Sequence, residues 1–253
     1  MMLRMRQICL VARQLAPVVE AFEDVFGLRV CYRDPAVAQY GLENALFPIG
    51  SQFLEVVAPV TDGTAAGRFL DRRGGDGGYM VITQVDDLEA RRRRCAALDV
   101  RVAHEIRHDE YHELQLHPHD VGAAMLSFSH QVPGGAAADP WHPAGPGATN
   151  PTSRVVGAMV GADLQGDDPE GLAARWSAVT ERPLGRDAAG RPVIALDDAT
   201  LRFVPALDGR GEGLAGLDLS CGDVSGMLAR ARARGLATLG ADTVVICGVR
   251  LRC

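Results

Sequence analysis

At 253 residues, 47% apolar and 23% charged, the chain has the composition of a globular protein with a substantial core, long enough for one large domain or two ordinary ones. A net charge of −6 and a pI near 5.6 argue against nucleic acid as a main partner, because phosphate binding needs a clustered positive field. All 26 basic residues are arginine, which excludes Schiff-base chemistry and a phosphate-loop lysine.

Cys9, Cys31, Cys95, Cys221, Cys247 and Cys253 form no C-x-x-C pair, so zinc-finger and thioredoxin-like chemistry find no support. Buried thiols in a reducing cytoplasm are the expectation. The apolar run after Met1-Met2-Leu3-Arg4 is broken at Arg13 and Glu20, too soon for a signal peptide or a membrane span. A cytoplasmic protein without a membrane partner follows as the expectation.

Gln7–Ala12 is an apolar run that predicts a strand. Leu15, Val18, Val19, Phe22, Val25 and Phe26 recur at helical spacing, and Gly27 supplies the stop. Leu28–Tyr32, Leu42–Ile49 and Gln52–Val57 predict three strands, the last two joined at Gly50-Ser51. After a short helix over Ala65–Arg72 the order recurs. Tyr79–Val85 is a strand, Asp86-Asp87 caps a helix through Leu98, and Val100–Ile106, Tyr111–His117 and Ala123–Ser129 are strands.

From Gln131 to Thr152 the proline and glycine content forbids regular structure, leaving a linker with Trp141 as a surface anchor. Beyond it Arg154–Val160 is a strand, and Asp168-Pro169 opens a helix to about Thr180. Pro192–Leu196 and Ala199–Val204 form a hairpin. Leu214–Leu219, a helix over Val224–Arg234 with a solvated arginine face, and closing strands over Thr243–Arg252 complete the chain. Four units of similar size, two on each side of the linker, divide it into 1–130, the linker 131–152, and a degenerate second domain 153–253.

Three stretches carry a family resemblance. Gln7-Ile8-Cys9-Leu10-Val11-Ala12-Arg13-Gln14-Leu15, the helix end Phe22-Glu23-Asp24-Val25-Phe26-Gly27-Leu28 and the strand Phe53-Leu54-Glu55-Val56-Val57-Ala58-Pro59 resemble the opening module of the vicinal oxygen chelate superfamily. That group holds glyoxalases, bleomycin-resistance proteins, extradiol dioxygenases and methylmalonyl-CoA epimerases. Gln84-Val85-Asp86-Asp87-Leu88 and Leu116-His117-Pro118-His119-Asp120-Val121-Gly122 resemble junctions of the second module. The resemblance implies an α+β fold of tandem βαβββ modules, with curved sheets forming a cup and helices outside. Alternation would then turn Gln7, Cys9, Val11, Phe53, Glu55 and Val57 into the cup.

The resemblance also implies a site. Metal-dependent members present four ligands, and the matching positions here are Gln7, Glu55, Met80 and Ser127. A thioether and a hydroxyl suit a divalent ion poorly. A divalent metal (nickel, zinc, manganese or iron) held by Gln7 and Glu55, with His112 or His117 joining them, therefore stands beside no metal at all. Glu55 is the candidate catalytic base or metal ligand, and Gln7, Phe53, Met80, Ser127 and His112 are candidate substrate-binding residues. Arg202 and Val156 stand where the second half would need an acid and a histidine, which speaks against extradiol dioxygenase activity. The run Arg91–Arg94 reads first as an exposed helix face and second as a site for an anion such as a CoA phosphate. Two functions remain open: a lyase or isomerase acting on a small carbonyl or thioester compound, and a resistance-type protein that binds a small molecule without catalysis. A homodimer is compatible with both.

Overall fold

In the computed structural model, which describes residues 1–132, 139–145, 153 and 155–253, the first strand is the axis of the N-terminal half. β1 (Leu3–Val11) runs antiparallel to β4 (Gly77–Val85) and parallel to β3 (Gln52–Pro59), which pairs outward with β2 (Leu42–Ile49). On the far side of β4 come β7 (Met125–Gln131), β6 (Tyr111–Leu116) and β5 (Val102–Arg107). Helices α1 (Leu15–Phe26) and α3 (Leu88–Ala97) cover the convex face. Caps fall where short polar side chains can meet free N–H groups: Asp87 accepts from Ala90 N at 2.8 Å.

The C-terminal half repeats the order. β8 (Val156–Gly166), α5 (Pro169–Thr180), β9 (Leu184–Arg186), β10 (Pro192–Ala195) and β11 (Thr200–Pro205) form one unit. β12 (Gly213–Cys221), α6 (Val224–Ala233), β13 (Thr238–Leu239), β14 (Thr243–Ile246) and β15 (Val249–Arg252) form the next. β8 and β12 are antiparallel, and β12 touches β4 through Leu214 and Gly78, so one sheet runs through both halves. This is the expected α+β fold of βαβββ modules.

A bulge at Arg6 sets the faces. Met5 pairs with Thr83 and Gln7 with Ile82, which leaves Arg6 as the extra residue. Leu3 and Met5 before it, and Ile8, Leu10 and Ala12 after it, join the main core under the helices. Cys9, Val11, Phe53, Val57, Met80 and Ile82 form a second apolar cluster on the concave side.

Several expectations need correction. Leu28–Tyr32 is not a strand; it follows β2 through a single bridge, Tyr32 to Leu46, before a 3-10 turn over Pro35–Tyr40. Cys221 and Cys253 are joined as a disulfide, so only Cys9, Cys31, Cys95 and Cys247 are thiols. The Arg91–Arg94 run is not wholly an exposed helix face, although Arg93 is exposed. Arg91 is buried, lies over Phe128 and donates to Thr180 O at 2.8 Å; Arg94 donates to Ala178 O at 2.8 Å. Both anchor α3 to α5. The arginines of α6 are likewise not simply solvated, since Arg230 donates to Val25 O and Arg234 pairs with Glu20 and Asp24 of α1. Of the linker, 133–138 and 146–152 lie outside the described residues.

The halves are also stitched at Gln52, buried in β3. Its amide donates to Met5 O at 3.0 Å and Met159 O at 2.8 Å and accepts from Met159 N at 2.7 Å. Gln52→Met keeps the volume and strands those backbone groups, so it should lower unfolding stability by about 2 to 4 kcal/mol, measured by chemical denaturation.

Candidate functional site

Glu55 sits mid-strand on β3, facing the concave side between Cys9 of β1 and Leu46 of β2. It is 9% exposed and both carboxylate oxygens are held: Oε1 accepts from Asn44 Nδ2 at 2.7 Å and Oε2 from Gln7 Nε2 at 2.9 Å. Trp141, from the segment after β7, donates its indole N–H to Gln7 Oε1 at 2.8 Å. An indole can only donate, so the Gln7 carbonyl must face it and the amide N–H must face Glu55. Trp141 is 2% exposed and lies under the Arg6 guanidinium, 4.9 Å from its ring centroid. It is a plug in the cup rather than the surface anchor expected from composition.

A second carboxylate shares this face. Glu113 of β6 is buried, accepts from Gln115 Nε2 at 3.0 Å, and lies near the fully buried Ser127 hydroxyl, which makes no well-formed hydrogen bond. By strand register Glu113 is the second module's counterpart of Asn44, because Leu46 opposes Glu55 as Gln115 opposes Ser127. Burial pushes the Glu55 carboxyl above its ordinary value, opposed by hydrogen bonds from Asn44 and Gln7. Burial does the same for Glu113, and the charge of Glu55 adds to the rise. The Cys9 thiol is driven up by burial and then by Glu55.

The sequence-derived residues divide clearly. Gln7, Phe53, Glu55, Met80 and Ser127 all line the concave face. His112 does not join them, since it is in phase with Leu114 and Leu116, which enter the core under the helices. His117 caps the short helix α4 (Pro118–Val121), accepting from His119 N. Asn44, Glu113 and Trp141 were missed. Glu113 was findable, because it is an acid in phase with Tyr111 and Gln115 on a strand whose other face is Leu114 and Leu116.

The residues do not fit a divalent ion. Gln7 gives its oxygen to Trp141, and Met80 and Ser127 offer a thioether and a hydroxyl. Among the described residues no three His, Cys, Asp or Glu side chains gather as a ligand set.

The second half solves the same positions differently. Register places Arg202 against Asp163 as Glu55 stands against Cys9, and Arg252 against Asp218 as Ser127 stands against Ile82. Gly161, not Val156, takes the place of Gln7, and Gly216 that of Met80. Arg202 bonds Asp163 at 2.5 Å and Asp218 at 2.7 Å; Arg252 bonds Asp163 at 3.0 Å and also Asp218. A methyl group on Gly161 would come within 3.0 Å of Asp218, and one on Gly216 within 3.0 Å of Asp163. The two glycines make room for a lattice of two arginines and two aspartates that neutralises itself.

A family model described as a glyoxalase-like domain matches residues 8–180. The chain belongs to this glyoxalase-like family. Its structural neighbours lie in the vicinal oxygen chelate superfamily. A hypothetical protein from Staphylococcus aureus is 12% identical over 99% of this chain and 98% of its own, with a TM-score of 0.66. A mutant of 4-hydroxymandelate synthase from Streptomyces coelicolor is 14% identical over 93% of this chain and 76% of its own, at 0.65. A methylmalonyl-CoA epimerase from the same organism is 20% identical over 50% of this chain and 95% of its own, at 0.45. No curated protein matches the chain.

The raised carboxyl of Glu113 predicts a pH signature. A folded-state value above the ordinary 4.5 means that the native protein binds more protons than the unfolded chain, so stability falls as pH rises from there. Glu113→Gln removes that slope: its melting temperature should gain on the wild type as the pH rises above 4.5, followed by calorimetry.

Proposed function

We propose that this chain moves a proton at the carbon beside the carbonyl of a small carbonyl or thioester compound, as a lyase or isomerase that uses no metal. The observation that carries the reading is the pair Glu55 and Glu113, buried on one face with no cation bonded to either among the described residues. Two such carboxyls in one desolvated cup repel each other, so one remains ionised while the other keeps its proton.

The ionised carboxylate removes the α-proton, and the C–H electron pair moves onto the carbonyl oxygen as an enolate. The protonated partner returns a proton to carbon, which completes an isomerisation; loss of a leaving group from the enolate makes the same site a lyase. Gln7 and Asn44 each keep a second amide hydrogen beyond the one given to Glu55, and these are the donors for the enolate oxygen. Trp141 holds the Gln7 amide in the orientation that makes it a donor.

A specific observation favours a second reading. Trp141 fills the cup above Gln7, which suits a resistance-type protein that sequesters a planar ligand in its place. The two readings separate on exchange of α-protons for deuterium in a panel of carbonyl and thioester compounds, followed by NMR. Proton transfer predicts exchange that survives a chelator and falls about 100-fold or more in Glu55→Gln and in Glu113→Gln. Exchange no faster than in the double variant, with ligand binding retained, would leave the binding protein.

A further inference from the structure

Beside the cup lies a cleft of ≈ 580 Å³, a size that encloses most of a small organic ligand. Its walls come from α2 (Ala65–Arg73), Ala103 of β5, the turn into α4 with His117 and His119, the starts of β4 and β7, and the loop before β12. The apolar part is Phe69, Tyr79 and Met125. Phe69 and Tyr79 meet edge to face with centroids 5.0 Å apart, and all three pack against the apolar cluster of the cup.

The charge of the cleft is opposite to that of the protein. In a chain of net charge −6, four arginines and a single carboxylate, Glu212, line this one cavity. Two of the arginines are structural. Arg73 Nη1 is bonded to the carbonyls of Arg210, Gly211 and Glu212, and Arg210 reaches those of Arg73, Gly75, Asp76 and Gly248. The other two have donors to offer. Arg72 has no hydrogen-bond or ion-pair partner among the described residues, and Arg68 donates only Nη1, to Gly63 O at 2.6 Å. Glu212 is held by Ala123 N at 3.2 Å. Tyr79, which these two guanidiniums partly stabilise as an anion, is nevertheless pushed up to about 12 by burial, so its hydroxyl stays a neutral donor on the apolar wall.

We propose that this cleft binds an amphipathic anion, with its apolar body against Phe69, Tyr79 and Met125 and a carboxylate or phosphate held by Arg68 and Arg72. Concave apolar walls select a small molecule over a charged polymer, and guanidinium forks match both anionic groups. Field lines from the fixed charges of Arg73 and Arg210 add to the attraction without consuming their hydrogen bonds. The site stands independently of proton transfer in the cup, which needs neither arginine.

The test uses the full chain titrated with octanoate, octyl phosphate, octylammonium and octanol by calorimetry. Saturable binding of at least one anion at one site per chain is expected, about tenfold or more tighter than octanol and weakened by salt. The better of the two anions identifies the group recognised. Arg68→Glu/Arg72→Glu, both on the exposed side of α2, should lose that preference with an unchanged melting temperature. Glu55→Gln/Glu113→Gln should bind as the wild type does, which separates this result from the fate of the proton-transfer reading. Equal binding of octanol and the anions, no binding of either anion, or an unaltered preference in the double arginine variant would overturn the proposal.

Discussion

The antiparallel pairing of β1 with β4 is the constraint from which the site follows. It places two modules back to back so that their closing strands, β3 and β7, flank the pair in parallel. Because side chains alternate strictly, the bulge at Arg6 decides which residues enter the cup. Were the strand regular through Arg6, Gln7 would fall in phase with Leu3 and Met5 and face the core, and Glu55 would lose one of its two amide donors. The bulge also turns Arg6 toward Gln84 and Trp141, so a guanidinium roofs the plug.

The two halves show two answers to one electrostatic problem. Charged groups inside a sheet concavity are costly unless paired and hydrogen-bonded. In the C-terminal cup Arg202, Arg252, Asp163 and Asp218 cancel one another, and two glycines give up their side chains to let them meet. That cup is sealed. In the N-terminal cup no cation is bonded to Glu55 or Glu113 among the described residues, and neutral side chains, chiefly the amides of Asn44, Gln7 and Gln115, soften the burial. A protein that held this arrangement for stability alone would be better served by the lattice it already builds elsewhere.

Architecture was largely legible in the sequence because it rests on periodicity. Nearly every strand and helix was marked by alternation, helical spacing or a capping aspartate, and the Gln7, Glu55, Met80 and Ser127 positions do share one face. What stayed hidden depends on contacts between distant segments. Trp141 reads as a loop residue until the fold brings it to Gln7, and Arg91 reads as surface until α5 covers it. Val156 lies five residues before Gly161, the residue that strand register pairs with Thr200. His112 illustrates the opposite failure, a residue of attractive chemistry on the wrong side of its strand.

The seams between the halves are made largely by guanidinium groups on backbone carbonyls: Arg91 on Thr180, Arg94 on Ala178, Arg73 and Arg210 on the turns around Gly75 and Gly211. A guanidinium keeps its proton throughout the physiological range and spreads its donors in a plane, so these joints hold against acid and base alike. With no lysine anywhere, enzymes that acetylate or ubiquitinate side-chain amines find no acceptor on this sequence, and amine-directed crosslinkers cannot bridge its two halves.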